Sequence, residues 1–295
     1  MKWEMLREEE FEGAIEKSGG LCVIPIGCIE KHGQHLAVGC DSIRAKGLVE
    51  LASQMEEVMI FPTAMWLGDV TGYHALQGDM IKQQRNRGGI AIKTSTLLTI
   101  MEELCDEIHR NGFRKILFVN GHGGNFYLLE QFVRSQGYQP KPYATMWTTL
   151  HDRSLNMYEV VKERWDEFNY LTEDDMKALA RIAETGTGGG HADWTETAQM
   201  YGVCPEGVAP DKFEAESGAS IHRSDYLSKE SVSLTFGWNC NFPNSYSGFA
   251  PIGCSENIGR AMAQLNAERL ARIFKIIKED EDCIRMAMRL PKIDA

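Results

Sequence analysis

The chain has 295 residues, of which 43% are hydrophobic and 25% charged, proportions that are ordinary for a globular protein. Its formal net charge of -11 argues against nucleic acid or an anionic membrane surface as a partner, although a small anionic substrate stays open because a bound metal can reverse the local field. No apolar run approaches the ~20 residues of a membrane span, and the acidic N-terminus does not have the pattern of a signal peptide, so a cytoplasmic location with reduced cysteines is expected.

The first predicted strand leads directly into a loop that is rich in potential metal ligands. A short helix over residues 1–17 is followed by the apolar run 21–27, which is typical of a buried parallel strand. Carboxylate oxygens and imidazole nitrogens are ligands that Zn²⁺, Mn²⁺ and Fe²⁺ accept, and two glycines let the loop fold tightly. We therefore predict a metal site here. The candidate ligands are Glu30, His32, His35 and Asp41.

Asp41 also stands where a helix is expected to begin, and this position gives it two alternative roles. The apolar pattern predicts a helix from residue 41 to about residue 55. An aspartate at a helix N-terminus is most often a cap. It can instead point inward to a metal, in which case the neighbouring Ser42 could take over the cap.

Between residues 58 and 119 the pattern alternates strands and helices around one long irregular stretch. Loops as long as the stretch 64–89 are often functional, and we interpret this one, with His74 and Asp79, as the wall of a pocket. The other predicted elements are a strand over 58–63, a helix over 94–111 with Gly112 as its C′ residue, and a strand over 115–119.

The strand over 115–119 ends in the sequence NGHGGN, residues 120–125, and a helix follows. Strand, glycine-rich turn and helix form the junction at which open parallel sheets place their ligands. No Lys-Ser or Lys-Thr pair follows, so the turn is not a P-loop. His122 is the metal-competent side chain of this turn. Because the turn leaves the same end of the predicted sheet as the first loop, we predict His122 as a further ligand.

A second glycine-rich loop brings a histidine and a carboxylate to the start of another helix. The run 186–190 is too flexible for a regular element, and the next helix is expected to begin near residue 193. His191 then lies just before the helix and Glu196 in its first turn. Glu196 could compensate the helix dipole. Because the same loop and helix start carry both His191 and Glu196, a role at the metal centre is favoured.

Residues 205–253 are irregular and rich in proline and aromatic residues, among them Trp238. They could cover the substrate, form an oligomer contact or contain a strand pair near 231–236, and the pattern does not decide between these. No repeat or linker is present, so residues 1–295 are interpreted as a single domain. The remaining predicted elements are a strand over 141–149, helices between 156 and 182 with Thr172 as a cap, and a helix over 255–279 capped by Ser255.

Three motifs, in order, make the chain resemble the creatininase family of creatinine amidohydrolases. The first family motif, Glu-x-His-Gly-x-His-Leu through to an Asp, is matched at residues 30–41. The second, Asn-Gly-His-Gly-Gly-Asn, is matched without change at residues 120–125. The third, His-Ala-x-x-x-Glu-Thr, is matched at residues 191–197.

This resemblance implies a fold, a metal centre and an assembly. The fold would be α/β, a three-layer αβα sandwich with a largely parallel sheet. One or two divalent metals are implied per subunit, with zinc as the first choice and manganese or iron as alternatives. Glu30, Asp41 and His122 would bind one metal, and His32 and Asp41 would bind the other with help from Glu196 or water. A homo-oligomer is also implied, often a hexamer in this family.

The chain departs from creatininase itself inside these motifs. Gly124 stands where creatininase has a glutamate that binds the second metal, so creatinine is not the expected substrate and the second metal should be held more weakly. Ala37 and Cys40 replace the proline and threonine common in the first motif. Asp193 and Trp194 in the third motif are expected to change the pocket near His191.

The hypothesis that best accounts for these residues is metal-dependent hydrolysis of a small polar molecule. Two cations roughly 3.5–4 Å apart can lower the pKa of a bridging water, and the resulting hydroxide can attack a carbonyl carbon. Either His191 or Glu196 would pass the proton to the leaving group, a task commonly worth about 10²–10⁴ in rate. A linear or cyclic amide is the first choice of substrate, with cleavage of its C–N bond.

Three other functions are weighed against this one. The same attack would open a cyclic ketone or lactone from sugar or cyclitol breakdown. A peptidase acting on a small modified peptide would need an open groove rather than a closed pocket. A metal-dependent scaffold without catalysis would need closed coordination with no position for water. The surplus of His191 and Glu196 over the ligands argues against the scaffold.

Overall fold

The computed structural model describes residues 1–63, 67–70, 88–150, 154–186, 189–234 and 237–289, with the backbone alone at 154–156. A parallel four-stranded sheet lies at its centre, in the strand order β2-β1-β3-β4. The strands are β1 Leu21–Ile26, β2 Met59–Ile60, β3 Lys115–Asn120 and β4 Ala144–Thr149.

Helices flank the sheet in the described chain, and the predicted helices from the second onwards agree closely in their bounds with the observed ones. The short helices at 225–228, 237–241 and 282–287 were not predicted. The helix capped by Thr172 begins with a capping box in which Asp175 returns the hydrogen bond, and Ser255 caps the long last helix. The helices are α1 Phe11–Lys17, α2 Cys40–Met55, α3 Thr94–Arg110, α4 Asn125–Ser135, α5 Ser154–Glu163, α6 Trp165–Phe168, α7 Glu173–Thr185, α8 Trp194–Val203, α9 Asp225–Ser228, α10 Gly237–Asn241, α11 Glu256–Glu279 and α12 Asp282–Ala287.

The two central strands are buried on both faces, which explains their continuous apolar sequences. Cys22 and Ile24 of β1 pack against the layer that contains α3 and α4. Leu21 and Val23 point the other way, into a cluster with α2 and α11. The molecule therefore has the predicted three-layer αβα architecture.

The register of the sheet brings the ends of its strands to one edge. Ile26 of β1 lies opposite Asn120 of β3, and Asn120 lies opposite Thr149 of β4. The loop after β1 and the turn after β3 therefore leave the sheet side by side. This confirms the prediction that the two ligand-bearing segments share one edge.

Some predicted elements differ from the observed ones. The first ten residues form two 3₁₀ turns instead of extending α1, because Trp3 folds back onto Phe11 and Phe113. The strand predicted over 58–63 pairs only at Met59–Ile60. The described residues 231–234 form no strand. His74 and Asp79, interpreted as part of a pocket wall, lie outside the described residues.

The irregular segment 205–253 packs over the loop that follows β1. Lys31 in that loop is buried and forms an ion pair with Glu216 at 2.7 Å. Short backbone bridges join Leu36 to Val208 and His191 to Ser247. The segment thus closes one side of the site. Among the described helices none is both long and apolar enough to cross a membrane.

Candidate metal centre

Close contact between the start of α2 and the sheet edge places Asp41 between the two loops. A side chain at Gly27 would lie 2.4 Å from the backbone nitrogen of Ser42, and one at Gly121 would lie 2.3 Å from the carbonyl oxygen of Asp41. Glycine at both positions lets the backbones approach. Asp41 is not the cap, because Gly39 takes the N-cap position without a side-chain bond, and the Ser42 hydroxyl donates to the Cys28 carbonyl.

Glu30, Asp41 and His122 meet at the edge of the sheet. His122 Nδ1 lies 2.9 Å from Glu30 Oε1 and 2.9 Å from Asp41 Oδ2. Despite these distances, the atoms are not aligned for hydrogen bonding, and neither Glu30 Oε1 nor His122 Nδ1 has a hydrogen-bond partner within the described chain. Cys28 Sγ lies 3.1 Å from Asp41 Oδ2. Buried nitrogen and oxygen atoms that face one another without hydrogen bonds are typical of the ligands of a metal site. Cys28, Glu30, Asp41 and His122 each offer one ligand atom to such a site.

Backbone carbonyls fix the orientation of the three histidines. His122 Nε2 contacts the Asp69 carbonyl at 2.8 Å, His191 Nε2 contacts that of Lys31 at 2.9 Å, and His32 Nδ1 contacts that of Glu30 at 3.1 Å. Because a carbonyl oxygen can only accept, each of these nitrogens donates a proton. The other nitrogen of each ring faces the carboxylates, and it is the nitrogen that would bind a metal once the ring is neutral.

His32 forms the centre of a second group of donors. Its Nε2 lies 3.1 Å from Asp41 Oδ1 and 3.6 Å from Glu196 Oε2, and its ring stacks on His191 at 4.2 Å between centroids. His191 Nδ1 in turn lies 3.5 Å from Glu30 Oε1. As expected, α8 begins after His191, with Asp193 as its N-cap. The structure thus brings six of the seven candidate site residues together, all except His35.

The electrostatics of the cluster favour charged carboxylates. Burial raises the pKa of Glu30, but His122 and His191 outweigh it, and the net pKa lies below the ordinary value. Burial likewise opposes ionisation of Asp41, yet His32 and His122 hold its pKa well below the usual range. Burial lowers the pKa of His32, but Asp41 and Glu196 raise it to about 9. The site therefore presents anionic oxygens that attract a cation.

Arg44 is a site residue that the sequence pattern did not reveal. Its side chain is 3% exposed, and Nη2 donates to Asp41 Oδ1 at 2.5 Å and to Glu196 Oε1 at 2.6 Å. An arginine inside an amphipathic helix is normally interpreted as a surface residue. The signal that could have found it is its position one turn after Asp41, on the same face of α2.

His35, a candidate ligand in the first motif, lies outside these donor groups. Its Nε2 donates to the Ala192 carbonyl at 2.8 Å, and its ring packs edge-on against Phe213 and Tyr246. It therefore joins the first loop to the segment before α8. Asp193 acts as a helix cap and Trp194 is part of the core, and their effect on the pocket near His191 stays a prediction.

A cavity of about 570 Å³ opens beside the donors, a size suited to a small molecule. Glu30, His122 and His191 form its polar wall. Tyr127 and Trp238 form an aromatic wall, and Trp238 meets the ring of His191 edge-on at 5.3 Å. Of the roles left open for residues 205–253, covering the substrate is the one that this position favours.

Comparisons with known proteins agree on one family. The family model described as Creatininase: Creatinine amidohydrolase matches residues 4–274. A creatinine amidohydrolase from Pseudomonas putida is 21% identical over 123 residues, which are 40% of this chain, and the chain spans only 43% of that relative's length. A mycofactocin precursor peptide peptidase from Mycobacterium tuberculosis is 28% identical over 185 residues, 56% of this chain and 72% of that protein.

Solved structures share the fold. A Bacteroides fragilis protein assigned as a creatinine amidohydrolase superposes with a TM-score of 0.61 at 20% identity, covering 89% of this chain and 91% of that one. A manganese form of creatininase gives 0.66 at 15% identity, covering 95% and 99%. A zinc–zinc form of a creatininase variant gives 0.63 at 15% identity, covering 95% and 98%.

Proposed function

Since the chain belongs to the creatininase family and is a metal-dependent hydrolase, we propose that it hydrolyses a C–N bond of a small linear or cyclic amide. The observation that supports this most directly is the set of unpartnered donor atoms of Glu30 and His122, which border the cavity where a substrate would bind. Donors without partners at the wall of a cavity are suited to holding a metal that a substrate can reach.

Glu30, Asp41 and His122 would hold the metal. A divalent cation there would supply Lewis acidity and lower the pKa of a water molecule. The mixed nitrogen and oxygen donors suit zinc or manganese, the two metals named for the creatininase structures. The Asp69 carbonyl holds the ring of His122 so that Nδ1 faces the two carboxylates.

We infer that His191 moves the proton. It lines the cavity, whereas Glu196 lies behind His32 and is not among the residues that line it. The Lys31 carbonyl accepts from His191 Nε2, which leaves Nδ1 free to accept a proton next to Glu30. Of the two residues first considered for this task, His191 is therefore our choice, and Glu196 would keep Arg44 and His32 in position.

The walls of the cavity favour a small polar substrate with one flat face. Its lining combines the imidazole and carboxylate groups of Glu30, His122 and His191 with the rings of Tyr127 and Trp238. A planar amide group suits a lining that combines polar and aromatic groups in this way. Cyclic ketones and lactones share this planarity, so they stay in the substrate panel as the alternative.

Peptide hydrolysis is a second candidate, and the resemblance to the mycofactocin precursor peptide peptidase favours it. A peptide would have to present its scissile amide inside the cavity, next to Glu30, His122 and His191. Cleavage of short peptides by the metal-loaded enzyme, with no turnover of small amides, would select this function. A homo-oligomeric state and a cytoplasmic location remain predictions.

The first prediction tests the metal and the activity together. His122→Ala should lose bound metal and turnover, because it removes the imidazole from the set of Glu30, Asp41 and His122 that would hold the metal. Metal content would be measured by elemental analysis, and turnover on a panel of amides, lactones, cyclic ketones and short peptides. His109→Ala is the matched control, because His109 bonds the Phe113 carbonyl at the end of α3, away from the site. Full metal content in the His122 variant would refute the ligand assignment.

A further inference from the structure

The Arg44 guanidinium occupies the position between the two carboxylates that face His32. Its Nη2 donates to Asp41 Oδ1 at 2.5 Å and to Glu196 Oε1 at 2.6 Å. Asp41 Oδ1 is also the oxygen that lies 3.1 Å from His32 Nε2. A cation held by His32, Asp41 and Glu196 would need these oxygens, and a permanent positive charge already binds them.

Neutral groups fix Arg44 in this position independently of the carboxylates. Nη2 also donates to the Gly121 carbonyl at 2.8 Å, and Nη1 donates to Gln199 Oε1 at 2.5 Å. The side chain is 3% exposed, so turning it out towards solvent would break these bonds inside the protein. Arg44 is therefore part of the site and cannot simply move aside for a second metal ion.

We propose that Arg44 takes the place of a second metal ion, so that the chain binds one divalent cation, at Glu30, Asp41 and His122. This inference rests on the proposed metal-dependent function and specifies its metal stoichiometry. Arg44 then provides a fixed positive charge next to His32, where it positions Asp41 and Glu196. The chain is a one-metal hydrolase with an arginine in the second cation position.

The test counts metal ions without using turnover. The metal-free protein is titrated with Mn²⁺, and bound ions are counted by elemental analysis after removal of free metal. Electron paramagnetic resonance of the same samples separates isolated Mn²⁺ ions from spin-coupled pairs. We expect one equivalent per chain and the spectrum of isolated ions, even with Mn²⁺ in excess. Two equivalents with a coupled spectrum would overturn the inference.

Two variants test whether Arg44 is the reason that the chain binds only one metal ion. Arg44→Met replaces the methylene stem with an unbranched apolar chain and removes the charged guanidinium, so it should bind a second equivalent and show the coupled spectrum. Arg44→Lys keeps the charge and should stay at one equivalent. A folded Met variant that still binds one equivalent would overturn the assigned role of Arg44. If the Met variant does not fold, the wild-type count still decides between one ion and two.

The outcomes also separate this inference from the proposed function. Wild-type protein that binds no manganese would contradict both. Wild-type protein that binds two equivalents and hydrolyses an amide would contradict only the inference. One equivalent without turnover of any compound in the panel would support the one-metal stoichiometry and count against the choice of substrates.

Discussion

Glu196 binds groups outside its own helix, which a residue that only compensates the helix dipole would not need to do. Its Oε1 accepts from Arg44, and its Oε2 accepts from the Ala192 backbone at 2.6 Å. Glu196→Gln keeps the size of the side chain and removes its charge, which leaves Arg44 without one of its two anionic partners. We expect kcat to fall by about 10²-fold or more, a loss of the size seen when a group that assists proton transfer is disturbed.

A matched control separates this effect from helix electrostatics. Glu173 lies in the first turn of α7 and is exposed, so Glu173→Gln removes the same charge at an equivalent position of a helix outside the site. It should cost at most about 1 kcal/mol in unfolding free energy and leave kcat unchanged. Steady-state kinetics and thermal unfolding of both variants make the comparison. Near-normal turnover of the Glu196 variant would remove it from the mechanism.

His35 makes the folded protein sensitive to acid. Burial lowers the pKa of its imidazole to about 4, although the bond to the Ala192 carbonyl acts in the opposite direction. An unfolded histidine titrates near pH 6.5, so as the pH falls the unfolded state binds the proton first. Stability should therefore decline from about pH 6.5 to about pH 4, by roughly 3 kcal/mol from this group.

Urea unfolding at several pH values measures this contribution. His35→Gln can still donate to the Ala192 carbonyl but does not titrate, so its stability should fall less steeply between pH 6.5 and 4. His222 is exposed and serves as the control, because His222→Gln should keep the wild-type slope. Equal slopes in all three proteins would show that His35 is not the acid-sensitive group.

At the level of elements, the contact between α8 and α11 sets the position of Glu196 in the candidate site. The helices approach so closely that a side chain at Gly259 would lie 2.5 Å from Tyr201 Cβ, 2.8 Å from the Gly202 nitrogen and 2.9 Å from the Ala198 carbonyl oxygen. These distances are shorter than any tolerable contact. Because α8 also bears Glu196, a change in this packing would displace Glu196 relative to Arg44 and His32.

Gly259→Ala should therefore destabilise the protein by about 1–3 kcal/mol, although alanine is intrinsically better than glycine in a helix. Gly13 in α1 is the matched control, since a methyl group there would have no described atom outside its own helix within 4 Å. Gly13→Ala should stabilise the protein by up to about 1 kcal/mol. Denaturant unfolding measures both changes. A Gly259 variant as stable as wild type would mean that the two helices can separate at little cost.

The order and type of the central elements could be predicted from the sequence because the strong signals are local. Continuous apolar runs identified β1 and β3, and the motifs after them supplied Glu30, Asp41 and His122. Where pairing depends on distant residues the prediction was weaker. The strand expected over 58–63 is shorter because only two of its residues find a partner in β1.

Arg44 and Trp238 show why part of the site could not be predicted. Arg44 bonds to groups 77 and 152 residues away in sequence, and no local pattern records such partners. Trp238 belongs to a segment without periodicity, so its place on the cavity wall depends on how that segment packs over the first loop. Both cases depend on tertiary contacts that local propensity does not encode.

At the scale of the whole molecule, the metal should contribute to stability. It would join Glu30, Asp41 and His122, which come from two loops and a helix start. When the cation is removed, the two carboxylates repel each other. Free metal at 100 times its dissociation constant adds about 2.7 kcal/mol, which corresponds to roughly 5–10 °C in Tm for a large domain.

Thermal unfolding with added Zn²⁺ or Mn²⁺, and with a chelator, tests this expectation. The metal-loaded protein should melt at the higher temperature. In His122→Ala the two conditions should give nearly the same Tm, because one of the three ligands is missing. A wild-type Tm that does not respond to chelation would mean that the folded state gains no free energy from metal.

The donors of the metal centre come from segments that are far apart along the chain, from Cys28 to Glu196. A growing polypeptide on the ribosome contains Glu30, Asp41 and His122 before α8 has been synthesised. Until then, Arg44 lacks both Glu196 and Gln199 as partners. Contacts of such long sequence separation slow folding. The hydrogen bonds that hold Arg44 can therefore be completed only after α8 has left the ribosome.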